Sequence, residues 1–172
     1  KDAVNLLTRI LSDTEQEAMV RHEAGEALGA IGSPEILVIL EKYMNDPVVA
    51  VAETCEIAVE RIKWLQSSPD EMQLLSKNPY ASVDPAPPAC STDIEKLKNT
   101  LLDDSRILFE RYRAMFALRN IGSPEAVAAL NSSLKHGSAL FRHEVAFVLG
   151  QLQNETSVPF LIESLEDHSE NE

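Results

Sequence analysis

An internal repeat constrains this chain more than any other feature. Four windows align without gaps: Arg21 to Ile31, Ala52 to Ile62, Arg111 to Ile121 and Arg142 to Leu152. Their offsets from the first are 31, 90 and 121 residues, so each half of the chain contains a pair of windows 31 residues apart. Leu28, Val59, Leu118 and Leu149 share one frame, and Ile31, Ile62, Ile121 and Leu152 share another. A fixed period of this length with helical content marks an α-solenoid, in which each helix pair buries its apolar face only against its neighbours.

The punctuation repeats as well. Gly32-Ser33-Pro34-Glu35 and Gly122-Ser123-Pro124-Glu125 are the same turn used twice. The Gly can adopt the left-handed conformation that ends one helix. The Ser can cap the next, the Pro fits its first turn, and the Glu faces the positive end of the helix dipole. The pattern predicts helices near 2–12, 18–31, 34–44, 47–65, 92–103, 105–121, 124–135, 139–152 and 156–166, and no strands. Five of the nine prolines (Pro69, Pro79, Pro85, Pro87 and Pro88) fall between Gln66 and Ser91. That stretch reads as a non-helical linker. The expected organisation is all-α: repeats over 1–65, a Pro-rich linker over 66–91, and repeats over 92–172.

Composition narrows the function. Fifteen Lys and Arg against 28 Asp and Glu leave a net charge of −13, which repels phosphate backbones and argues against nucleic-acid binding. The same field suits a cationic partner, although an acidic surface also serves solubility. No apolar run approaches the roughly 20 residues that cross a bilayer. Cys55 and Cys90 form neither a CxxC motif nor a dense framework, and read as reduced thiols, one in a helix and one in a loop, as in a reducing, cytoplasmic setting. The chain begins Lys-Asp-Ala without a signal-peptide layout or an initiator Met, as expected of a processed chain or a fragment.

The chemistry candidates are two dipeptides, His22-Glu23 and His143-Glu144. Neither continues to HExxH, since Glu26 and Phe147 stand where the second His would be. On a wheel of about 100° per residue, Val20, Ala24, Ala27, Leu28 and Ile31 form an apolar stripe, the expected core face. His22, Gly25, Glu26 and Gly29 form a second stripe. Glycine inside a helix costs roughly 1 kcal/mol against Ala, so two of them beside a His suggest a close approach to that face. Packing of a neighbouring helix is the alternative reason for the glycines.

The other two repeats serve as internal controls. Glu53 and Tyr112 replace the His, and Glu60 and Arg119 replace the Gly seven residues on, whereas His143 again has Gly150. Imidazole and carboxylate together suit iron, manganese or zinc, and such ligands on facing helices are a usual way to build a two-metal site. Two His and two Glu are enough for one metal and sparse for two.

The segments Arg21-His22-Glu23-Ala24-Gly25-Glu26-Ala27-Leu28-Gly29, Phe109 to Arg119 and Leu140 to Glu144, together with the linker Tyr80 to Pro88, resemble the deoxyhypusine hydroxylase family over essentially the whole chain, as its central portion. The resemblance implies HEAT-like repeats in two halves with four His-Glu pairs around a di-iron centre. It also implies that His22, Glu23, His143 and Glu144 are metal ligands, with two further pairs outside this chain. The implied cofactor is Fe(2+), two ions per full-length protein. The implied reaction is hydroxylation of the deoxyhypusine side chain on translation initiation factor 5A with dioxygen, a monooxygenase step completing hypusine biosynthesis. Half the ligands would leave the present chain inactive alone. A non-catalytic helical scaffold for protein binding and a bilin-lyase-like repeat protein are the alternative readings.

Overall fold

The computed structural model describes residues 2–168. The described residues form α-helices, short 3-10 turns and loops, with no strand. The chain divides into two compact units, one comprising residues 1–74 and 83–86, the other residues 75–82 and 87–172. The stretch between the repeat pairs is thus apportioned to both units.

The first unit holds α1 (Asp2–Ser12), α2 (Ala18–Ile31), α3 (Leu37–Tyr43), α4 (Val49–Ser67) and α5 (Pro69–Leu74). Helix α2 packs against both α1 and α4, and α3 packs against α4. Leu11, Leu28, Leu40, Val51, Val59 and Ile62 form the centre of this core. The second unit holds α6 (Ile94–Leu102), α7 (Leu108–Ile121), α8 (Pro124–Ser133), α9 (Ala139–Leu152) and α10 (Val158–Glu166). Its buried residues include Leu97, Leu101, Met115, Phe116, Leu130 and Phe141. No described helix is long and apolar enough to cross a membrane.

The repeated turn behaves as its residues require. Gly32 and Gly122 have φ of 69° and 61°, and their N–H groups donate to the carbonyls of Leu28 and Leu118. The Ser123 side chain caps α8 by accepting from the Ala126 N–H, whereas Ser33 makes no such bond and a 3-10 turn, Pro34–Ile36, precedes α3. A second echo was not evident from periodicity. Arg21 Nε donates to the Leu11 carbonyl and Arg111 Nε to the Leu101 carbonyl, both at 2.9 Å. The two bonds are offset by the repeat itself.

Two expectations need correction. The stretch after residue 66 is not free of helix, because α4 runs on to Ser67 and α5 follows. Pro69 opens α5, where a missing N–H removes no intrahelical bond, and Asp70 and Glu71 occupy its first turn. Trp64 Nε1 donates to Glu71 Oε2 at 3.1 Å. The core stripe of α2 is also rotated from the predicted one. Val20 and Ile31 are 42% and 46% exposed, while Arg21, His22, Ala24, Gly25, Leu28 and Gly29 are buried. The acidic C-terminal stretch Glu166 to Glu172 lies partly outside the described residues, at 169–172.

Candidate metal-ligand helices

In the first unit the glycine stripe of α2 is a packing surface. A Cβ built on Gly29 would lie 2.7 Å from the Ala58 Cβ and 3.2 Å from its Cα. One on Gly25 would lie 3.2 Å from Thr54 Cγ2 and 3.7 Å from Cys55 Sγ. The glycines therefore admit α4 against α2, which is the helix-packing explanation. Cys55 is buried in the same seam, and burial pushes its thiol pKa up to about 12.

His22 is drawn into this seam, with 4% of its surface exposed. Its Nδ1 lies 2.6 Å from Thr54 Oγ1, and Thr54 Oγ1 donates to the Ala50 carbonyl at 2.7 Å. The other ring nitrogen, Nε2, lies 3.7 Å from Glu26 Oε2 and 3.9 Å from Glu23 Oε1. Glu23 is largely exposed and Glu26 is partly covered. Burial raises the Glu26 carboxyl above the ordinary glutamate range, and the neighbouring charges of Glu23 and Asp84 push the same way. Arg61 is lowered by burial, opposed by Asp84, and donates from Nη1 to the Gly29 carbonyl at 2.8 Å. One edge of the imidazole is thus anchored by α4, and the other faces carboxylates.

The second unit treats its pair differently. His143 is exposed and Glu144 is only 7% exposed, the reverse of His22 and Glu23. The repeat offset puts Glu144 at the register position of Thr54, the buried residue that meets His22. Helix α9 itself is fixed by Ser138, whose side chain accepts from the Phe141 N–H at 3.2 Å, and by Phe141, whose ring lies under the Arg111 guanidinium at 4.1 Å. Outside its own helix backbone, no atom of the described residues lies within 4 Å of a Cβ built on Gly150. The coupling of His and Gly in two repeats therefore has no common structural cause: Gly29 serves a helix contact and Gly150 serves none among the described residues.

The donors fit iron in kind, being imidazole nitrogen and carboxylate oxygen. Their number around His22 falls short of a cage. Among the described residues, no three or more His, Cys, Asp or Glu side chains gather closely enough to hold an ion. Thr54 and Asp84 were missed by periodicity: Thr54 is adjacent to Glu53, the residue aligned with His22, and Asp84 lies in the proline-rich stretch where no helical register applies.

Comparison with known proteins accords with the helical-repeat reading. Residues 94–172 match a family described as HEAT repeats, and residues 20–46 match one described as PBS lyase HEAT-like repeat. Deoxyhypusine hydroxylase of Mus musculus is 60% identical over 163 residues, covering 95% of this chain and 53% of that protein. The Homo sapiens protein of the same name is 59% identical over 169 residues, covering 98% and 55%. The Drosophila pseudoobscura pseudoobscura protein is 58% identical over 171 residues, covering 99% and 56%. A structure of human deoxyhypusine hydroxylase in complex with glycerol superposes with a TM-score of 0.91 at 58% identity, over 99% of this chain and 58% of that one. The chain spans about half the length of the curated relatives it matches. With a closely similar fold and more than half of its residues shared across almost its whole length, the chain is similar to deoxyhypusine hydroxylases over about half of their length and is built of HEAT-like repeats.

Proposed function

We propose that the full-length protein containing this chain is a deoxyhypusine monooxygenase that binds two Fe(2+) ions, and that His22, Glu23, His143 and Glu144 are metal ligands. The observation that carries the ligand assignment is the orientation of His22: α4 holds its Nδ1 edge, and its Nε2 edge faces the Glu23 and Glu26 carboxylates. The identity to proteins named deoxyhypusine hydroxylase supports the reaction. The substrate is the deoxyhypusine side chain of translation initiation factor 5A, and the co-substrate is dioxygen, in the cytoplasm. The scaffold and bilin-lyase readings are not favoured, because the identity extends through both repeat pairs and the connecting stretch.

Iron, when bound, supplies the capacity to activate dioxygen. The chain's own residues do the rest. The imidazoles would offer ring nitrogens as donors, that of His22 held in place by Thr54, and the glutamates would balance the charge of the metal. Glu23, Glu26 and Asp84 add negative charge to the His22 side of the first unit, which favours a cationic polyamine arm. The Glu26 carboxyl is raised first by burial and then by the Glu23 and Asp84 charges, and a bound cation would offset the second part.

The test is metal content in the full-length protein. His22→Ala and His143→Ala should each lower iron occupancy and abolish hydroxylation, read by elemental analysis and by product. Full iron content in both variants overturns the ligand assignment.

A further inference from the structure

We infer that Thr54 is a positioning residue that fixes the tautomer of His22, so that Nε2 is the nitrogen offered to a metal. The inference rests on the reading of His22 as a ligand and adds a residue from a different helix, with no part in ligation itself.

The argument is one of proton counting. A threonine hydroxyl has a single proton to donate. In Thr54 that proton is committed to the Ala50 carbonyl one helical turn back, at 2.7 Å. Toward His22, at 2.6 Å, the Thr54 oxygen can therefore only accept. The proton in that contact belongs to His22 Nδ1. A neutral ring with its proton on Nδ1 has its lone pair on Nε2, the nitrogen that faces Glu23 and Glu26.

The carboxylates alone would favour the other state. Ionised Glu23 and Glu26 are acceptors, and they reward a proton on Nε2. That arrangement would block Nε2 as a donor to a metal. Thr54 opposes it, because moving the proton to Nε2 would set an Nδ1 lone pair against the Thr54 oxygen in a buried seam. A buried contact so broken costs more than an exposed one. The outer partner thus decides which ring nitrogen is available, as it does in many metal-bound histidines.

Close helix approach makes this possible. Thr54 Cγ2 occupies the space that a side chain on Gly25 would claim, at 3.2 Å from the built Cβ. Gly25 therefore allows Thr54 to reach the ring one turn earlier on the helix. The sequence Arg21-His22-Glu23-Ala24-Gly25 encodes both the ring and the gap through which it is held.

The experiment uses the full-length protein with Thr54→Val, which preserves shape and removes the acceptor, and Thr54→Ser, which keeps the hydroxyl. In metal-free protein above the imidazole pKa, long-range proton–nitrogen spectra of labelled His22 report the tautomer directly. The wild type and Thr54→Ser should carry the proton on Nδ1, and Thr54→Val should shift it to Nε2. Ferrous-ion affinity should fall about 10- to 100-fold in Thr54→Val and recover in Thr54→Ser. A wild-type His22 protonated on Nε2 overturns the inference without any variant. So does an unchanged tautomer and affinity in Thr54→Val while His22→Ala loses iron. If His22→Ala itself retains full iron, the ligand reading fails, and the tautomer measurement still judges Thr54 separately.

Discussion

Gly29 of α2 approaches Ala58 of α4 so closely that a Cβ on the glycine would sit 2.7 Å from the alanine methyl and 3.2 Å from its Cα. The second distance decides the consequence, because the backbone of α4 cannot step aside as a flexible side chain could. Gly29→Ala should therefore destabilise by roughly 1–3 kcal/mol, which outweighs the gain of about 1 kcal/mol in helix propensity. Gly150→Ala is its control, since among the described residues nothing outside its own helix backbone lies near that position. It should stabilise by about 0.5–1 kcal/mol. Thermal unfolding of the 172-residue chain checks both, and equal shifts of the same sign would refute the packing role.

The same pair explains where sequence reading worked and where it failed. Helix limits were legible because Gly32 and Gly122, Pro34 and Pro124 punctuate corresponding points of the two repeat pairs, and backbone chemistry acts locally. The buried face of α2 was not, because a wheel weighted by hydrophobicity gives Gly25 and Gly29 almost no weight. Close approach of two helices selects small residues, so the tightest contact looks like a polar face. Arg21 shows the same limit of composition. Its charge predicts exposure, yet the Leu11 carbonyl and the Asp46 carboxylate satisfy it inside the unit. The His-Glu pairs were legible as residues, but their opposite burial was not, since burial depends on which helix packs beside each.

That burial asymmetry predicts unequal costs for removing the two histidines. His22 is enclosed and bonded to Thr54, so His22→Ala leaves a hole and takes a donor from the Thr54 oxygen. A loss of roughly 1–3 kcal/mol is expected in metal-free protein. His143 is exposed, and His143→Ala should leave the melting temperature almost unchanged. A helical wheel sets both histidines off the apolar stripe, from which neither loss would open a cavity, but His22 is buried and departs from that. Chemical denaturation of both variants without metal separates this structural effect from any ligand effect, and matching curves would contradict the geometry.

Asp46 gives the first unit a defined acid sensitivity. It pairs with Arg21, and the side chains are 5% and 3% exposed. The bond from Arg21 holds the Asp46 carboxyl below the ordinary aspartate range, helped by the Val48 N–H, while burial opposes the shift. A carboxyl lowered by folding stabilises fully above its unfolded value, about 3.9, and that contribution is lost as pH falls through the lower folded value. At neutral pH, Asp46→Asn should destabilise by roughly 3 kcal/mol, because Arg21 is left buried without its counter-charge. The gap between wild type and variant should shrink as pH drops below about 4. Urea titrations across that range test the sign, and a gap that widens toward acid would reverse the assignment.

We propose that the connection over 66–91 is where the two repeat halves are separable, and limited proteolysis tests it. The stretch is not uniform. Trp64 and Glu71 tether the start of α5, and Ala86 is fully buried. Ala89 donates its N–H to the Arg113 carbonyl at 2.9 Å within the second unit. Between these anchors, Met72, Gln73 and Leu74 are exposed, as are Ser76 and Lys77 just beyond the end of α5. A protease needs several residues of extended, accessible backbone, and residues 75–77 lie outside any helix. Trypsin should therefore cut first after Lys77, and chymotrypsin near Leu74 or Leu75, leaving two helical fragments visible by mass spectrometry and circular dichroism. First cleavage inside α2 or α7 would show that the repeat helices open more readily than the connection, and would remove the boundary.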